Sequence, residues 1–216
     1  MVKIFVFLLF AALMLLGKSQ PPSKIYLIRH AKVDIKNPGL GNSKAAHLYK
    51  KQYNRSPIRN FNANEIKKKI ENFETVDTVF CSPLKRAVET ASIIFGEDVV
   101  IKTDSVLAEL DYPVVKFPAV QLPVKVWLLI SRGTWMMGIN GKEKKNYQYR
   151  KMELRVYSQK LMEYESTHEI TIVVAHGMVN RELKRILKEQ GWKPGNHYDF
   201  STLSVNYFEK KMIKKC

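Results

Sequence analysis

The alternation of apolar and polar positions divides the chain into short β-rich runs separated by amphipathic stretches. Lys24-Ile25-Tyr26-Leu27-Ile28-Arg29 is a compact apolar run that ends in charge. That is the pattern of a buried strand whose C-terminal end emerges at a surface, and it puts His30 at that end. Residues 75–81, 99–102, 170–175 and 204–209 read as further strands. Between them, Ile66, Ile70 and Phe73 share one face of a helix capped by Asn64, and Ala87, Ala91 and Ile94 line a helix opened by Ser82-Pro83. Two more helices are expected, over 146–164 and from Gly177 to about 190. Strands alternating with helices predict an α/β fold, a three-layer α/β/α sandwich with a mostly parallel central sheet.

Two segments break this rhythm. From Asp34 to Phe61 the chain is rich in Gly, Asn and Pro, and reads as a long loop over a site with a short helix near 43–52. Residues 113–141, punctuated by Pro113, Pro118 and Pro123, read as an irregular lid. Core or lid packing is the plain account of Trp127, Trp135, Met136 and Met137 there, and an apolar substrate or a peripheral membrane contact is the sharper one.

The N-terminus has its own pattern: Lys3 precedes an apolar run from Ile4 to Leu16, and small residues follow at Gly17 and Ser19. The run is shorter than the roughly 20 residues a bilayer-spanning helix needs. Residues 1–19 are therefore expected to be a signal peptide and 20–216 the working domain of an exported protein, periplasmic or secreted. An uncleaved membrane anchor is the alternative. Cys81 and Cys216 are too few for a disulfide framework, and a chain of this length buries enough core without one.

The formal charge is +16. Its clusters, such as Lys67-Lys68-Lys69, accompany no nucleic-acid motif, so the expected partners are anions rather than nucleic acid.

Two strands end in histidine, Leu27-Ile28-Arg29-His30 and Val173-Val174-Ala175-His176-Gly177, and neighbouring strand ends of an open α/β sheet converge on one crevice. Ser82-Pro83-Leu84-Lys85-Arg86-Ala87 follows a third strand. Cys81 and Arg86 sit one position too close for the phosphate loop of a thiol phosphatase, and Cys81 is better read as a packed small hydrophobe. His47, His168 and His197 are isolated and lack ligand spacing, so neither a metal nor another cofactor is expected.

With these elements in order the chain resembles the histidine phosphatase superfamily, also called phosphoglycerate-mutase-like. The resemblance runs from Arg29-His30-Ala31 through the segment 81–91 and Leu107-Ala108-Glu109-Leu110-Asp111 to His176-Gly177-Met178-Val179-Asn180-Arg181. It implies a phosphomonoesterase of histidine acid-type that works through a phosphohistidine on His30. Arg29, Arg86 and Gly177 would bind the phosphate, with His176 donating to an equatorial oxygen. Glu109 stands at the family's proton-donor position. The residue types suit those roles, because a guanidinium fork matches two phosphate oxygens and its field favours the neutral imidazole that must attack. Ala31 stands where Gly is common, and Met178-Val179-Asn180 replaces the mutase continuation. The rival readings are a catalytically silent phosphate-binding module and a protein phosphohistidine phosphatase.

Overall fold

A computed structural model describes residues 23–117, 120–139 and 146–210. The expected signal segment, 1–19, and Cys216 lie outside the described residues. A six-stranded sheet forms the centre, in the order β4-β3-β6-β1-β8-β7. Its parallel part is β1 (Ser23–Arg29), β3 (Thr78–Cys81), β4 (Val100–Thr103) and β6 (Ile170–Ala175), and β8 (Val205–Lys210) runs antiparallel to β1 with β7 (Lys193–Pro194) at the edge.

The side-chain alternation of the central strands splits the core in two. Ile25, Leu27, Phe80, Val173 and Ala175 face one side, against helices α5 (Tyr147–Glu165) and α6 (Gly177–Glu189). Tyr26, Ile28, Val79, Cys81, Ile172 and Val174 face the other, against α2 (Ala63–Lys67) and α3 (Lys85–Phe95). Both faces are covered, which is why β1, β3 and β6 read as continuous apolar runs. Cys81 is a free, fully buried thiol that packs as one of these apolar side chains.

Three expectations about local structure are corrected. Ser82 does not cap a helix: its backbone N–H still pairs with Val174 O at 3.0 Å, so the strand direction continues through it. Helix α3 therefore begins at Lys85 behind Leu84, which makes no side-chain cap. The helix expected over 64–73 is capped by Asn62 and ends at Lys67, after which the Lys69 and Ile70 N–H groups bond three residues back in tight turns, and the left-handed Asn72 (φ 48°) keeps any helix from running on to Phe73. Ile66 and Ile70 still reach the core, while a 3₁₀ turn at Phe73–Thr75 delays β3 to Thr78.

The third correction is the largest. The segment read as an irregular lid contains β5 (Leu122–Pro123), paired with β2 (Leu40–Gly41), and a 13-residue helix, α4 (Val124–Met136). Pro123 ends just where proline is tolerated, before the first turn, and Val124, Trp127, Ser131 and Trp135 bury one helical face. Part of that face closes on α1 (Ser43–Arg55), where Ala46, Val124 and Trp127 make a small core of their own and the Trp127 indole donates to Gly41 O at 2.8 Å. Truncating a buried tryptophan of this kind costs about 3–5 kcal/mol, enough to hold both helices over the sheet's C-terminal edge.

Candidate active site

The parallel strands β1, β3 and β6 deliver His30, Ser82 and His176 to the same edge of the sheet, where the chain turns into loops or helices. His30 is fixed by its N–H to Ala175 O at 3.0 Å, across the β1–β6 pair. The next residue is tied to α3: Ala31 N–H donates to Thr90 Oγ1 at 2.9 Å, and that hydroxyl donates to Arg86 O at 2.6 Å. The backbones carrying His30 and Arg86 are thus joined through one threonine.

The side chains meet as well. Arg86 Nε donates to His30 Nε2 at 3.2 Å, and another guanidinium nitrogen donates to Asn54 Oδ1 at 2.9 Å. His30 Nδ1 lies 2.7 Å from Ala31 O, and since a carbonyl only accepts, Nδ1 carries the hydrogen and Nε2 the lone pair. His30 and Arg86 are each 1 % exposed. Burial first, and then the Arg86 and Arg29 charges, hold the His30 pKa down to about 3, against the pull of the Ala31 carbonyl. The imidazole is neutral at any ordinary pH.

His176 lies beneath this pair and is fully buried, its ring centroid 5.0 Å from that of His30. Its Nε2 is 2.7 Å from Ser82 Oγ, which also accepts the Leu84 N–H, and its Nδ1 has no partner. Burial, followed by Arg86, His30 and Arg29, keeps it well below the usual histidine range. Arg29 donates to Phe200 O and has a buried Nε without a partner. A Cβ at Gly177 would come within 3.2 Å of the Arg29 guanidinium carbon, so glycine lets that guanidinium lie against the start of α6. Arg29 and Arg86 have no carboxylate ion pair among the described residues, so both keep donors for an anion.

Above them opens a cleft of about 660 Å³, lined by Arg29, His30, Arg86 and Glu109 together with residues of α1 and α4. Burial pushes the Glu109 carboxyl above its ordinary range, against Arg132, Arg86, the Leu110 N–H and Arg29. Asp111 is exposed and paired with Lys50, whose ammonium also bonds Tyr112 O.

The cleft thus brings together Arg29, His30, Arg86 and Glu109, with His176 below and Gly177 beside Arg29. Sequence reasoning put a loop and a lid over the site but missed the residues that form its walls. Tyr49, Lys50, Tyr53 and Asn54 line it from α1, and the Arg86 guanidinium faces the Tyr53 ring at 5.1 Å. Pairs one turn apart, Tyr49 with Tyr53 and Lys50 with Asn54, were the available signal. From α4 come Lys125, Leu128 and Arg132, whose guanidinium stands 5.2 Å from the Tyr112 ring centroid. Arg132 is the one charge in an otherwise uncharged stretch from Val126 to Met137, a detectable anomaly.

Comparison with known proteins agrees with this architecture. The model of the histidine phosphatase superfamily (branch 1) matches residues 25–212, and the chain belongs to that superfamily. Among solved structures, YhfR of Bacillus stearothermophilus is 18% identical, with a TM-score of 0.53 over 86% of this chain and 90% of that one. A phosphoserine phosphatase of Entamoeba histolytica, in complex with phosphoserine, is 17% identical, with a TM-score of 0.50 over 86% and 89%. The ecdysone phosphate phosphatase of Bombix mori, in complex with tungstate, is 13% identical, with a TM-score of 0.50 over 86% and 88%. These likenesses are of fold. No curated protein sequence matches this one significantly.

Proposed function

We propose that the chain is a phosphomonoesterase of the histidine acid-type that hydrolyses a small phosphorylated substrate through a phosphohistidine on His30. One observation carries the reading: a buried imidazole, held neutral with its Nε2 lone pair directed at an arginine, lies on the floor of a cleft that also holds a carboxyl raised by burial. Superfamily membership supports phosphatase chemistry in general.

In the first step His30 Nε2 bonds to phosphorus as the phosphorus–oxygen bond to the leaving group breaks. The Glu109 proton passes to the departing oxygen, whose basicity requires it. The imidazole becomes cationic on phosphorylation, and its Nδ1–H remains bonded to Ala31 O. Arg86 gives up its bond to Nε2 and, with Arg29, takes the equatorial oxygens. A consistent hydrogen assignment runs from Leu84 N–H to Ser82 Oγ and from Ser82 O–H to His176 Nε2, leaving His176 Nδ1–H as the free donor for another oxygen. In the second step Glu109 takes a proton from water, water oxygen bonds to phosphorus, and the nitrogen–phosphorus bond breaks to restore neutral His30.

The test is a rapid quench after brief exposure to a radiolabelled phosphomonoester, which should leave acid-labile, base-stable label on His30. Turnover without such an adduct, or an adduct that survives His30→Ala, overturns the assignment. Phosphate binding with no turnover of any ester leaves the silent-module reading instead.

A further inference from the structure

Two of the three guanidinium nitrogens of Arg86 are bonded within the protein. Nε donates to His30 Nε2 at 3.2 Å, and Nη1 donates to Asn54 Oδ1 at 2.9 Å. The third, Nη2, bonds nothing among the described residues. A guanidinium is planar, so the two Nη2 hydrogens run alongside those of its neighbours. An oxyanion held by Nη2 is therefore flanked by the His30 imidazole on one side and the Asn54 amide on the other.

The orientation of that amide follows from its partner. Arginine only donates, so the atom Asn54 turns to Arg86 is its oxygen, and the amide nitrogen with its two hydrogens sits on the other branch of the side chain. Asn54 Nδ2 has no hydrogen-bond partner among the described residues, and Asn54 lines the cleft together with His30 and Arg86. Helix packing places it there. Ala46, Lys50, Tyr53 and Asn54 share one face of α1, at i, i+4, i+7 and i+8. Ala46 is buried in the small core with α4, and the same face runs on over Arg86, where Tyr53 presents its ring and Asn54 its amide.

The neutrality of this contact decides what it is for. No Asp or Glu occurs between Asp34 and Glu65, so α1 offers Arg86 no carboxylate. A carboxylate at position 54 would grip the guanidinium harder, yet it would offset the charge an incoming anion needs and could donate nothing to that anion. An amide accepts from arginine through one atom and donates through the other. Arg29 is held in the same neutral way, by the carbonyl of Phe200. We infer that Asn54 is a substrate-binding residue, whose Nδ2 donates to a phosphoryl oxygen next to the one that Arg86 Nη2 holds. This rests on the phosphomonoesterase reading of the cleft and adds to it a phosphate ligand that comes from α1 rather than from the sheet.

The experiment measures equilibrium binding of tungstate, a tetrahedral oxyanion, to the full chain by calorimetry, which needs no turnover. Asn54→Ala should raise Kd roughly tenfold or more, as for loss of a hydrogen bond to a charged group. Asn54→Asp keeps the acceptor for Arg86 but turns a carboxylate on the oxyanion, and should raise Kd further. Asn54 is half-buried at the rim of the cleft, so melting temperatures close to wild type are expected for both variants and certify the fold. A double-mutant cycle separates direct contact from an effect relayed through Arg86. With Arg86→Ala already in place, Asn54→Ala should still lower kcat/KM for nitrophenyl phosphate several-fold. An unchanged Kd in Asn54→Ala overturns the inference, as does wild-type binding by Asn54→Asp. So does a loss that vanishes once Arg86 is gone, which would make Asn54 a residue that only positions the arginine. A chain that shows the expected tungstate pattern but hydrolyses no ester keeps this inference and loses the esterase reading. Phosphohistidine formation with tungstate binding indifferent to position 54 does the reverse.

Discussion

The floor and the walls of the cleft are built by different means. On the floor, His30, Arg86 and His176 are at most 1 % exposed and hang from β1, α3 and β6, which the parallel pairing of the sheet holds in register. The walls are partly exposed side chains of α1 and α4, joined by a small separate core around Trp127. A frame that fixes two histidines 5.0 Å apart suits one kind of bond-making, whatever molecule bears the phosphate. Walls that pack mainly on each other can change their outward residues without disturbing that frame. On the proposed function, the reaction belongs to the sheet and the choice of substrate to the two helices.

The most severe test of that division is His30→Ala. Phosphate release from every monoester, aryl or alkyl, should fall to the uncatalysed background while the melting temperature stays close to wild type. Wild-type turnover of even one ester would place the nucleophile elsewhere.

Arg86→Ala should come next. Its guanidinium is expected to meet charge that develops on the phosphoryl oxygens, so kcat/KM should drop by about 10²–10³, as for loss of one preorganised donor. A floor residue must show the same factor for all substrates, and vanadate inhibition must weaken in parallel. Unequal factors would move Arg86 to the walls.

Glu109 lies where floor and wall meet, and its substitution should separate substrates by chemistry rather than by shape. An alkoxide leaves only with a proton, so Glu109→Gln should slow phosphohistidine formation from an alkyl phosphate by about 10²–10⁴. A nitrophenolate leaves unaided, and its burst should persist. Equal losses in the pre-steady state would make Glu109 a wall residue that positions substrate.

The same division governs what could be read from the chain. Strand-end residues were legible because a buried parallel strand is a run of apolar side chains that stops at the active edge: Lys24–Arg29 announces His30, and Ile170–Ala175 announces His176. The local role of Ser82 was not, since Ser-Pro has the chemistry of a helix start, and only the spatial pairing with Val174 and His176 keeps the chain extended there. Helix α4 was hidden by its outer face. With Val126 and Leu129 apolar alongside the buried Val124 and Trp127, no polar stripe remained to reveal a period of 3.6, and the flanking prolines pointed to irregular chain. Arg132 went unnoticed with the helix that carries it.

Arg132 offers the smallest expected effect and the finest probe of how wall and floor communicate. Burial raises the Glu109 carboxyl, and among the charges that oppose this the Arg132 guanidinium is the largest, ahead of Arg86 and Arg29. The first step needs Glu109 protonated, so activity on an alkyl phosphate should decline on the alkaline side as that proton is lost. His30, held down to about 3, is already neutral there and contributes no such limb. Replacing Arg132 by Gln removes a positive charge that favours the carboxylate, which lets the Glu109 pKa rise further and carries the alkaline limb of kcat/KM to higher pH. The substrate's own ionisation is common to both proteins and cancels in the comparison. With the nitrophenyl ester the burst rate should show no shift, because that step does not use the acid. A limb displaced downward in Arg132→Gln, or displaced equally for both esters, would mean that Arg132 acts on the substrate alone and that the walls leave the chemistry of the floor untouched.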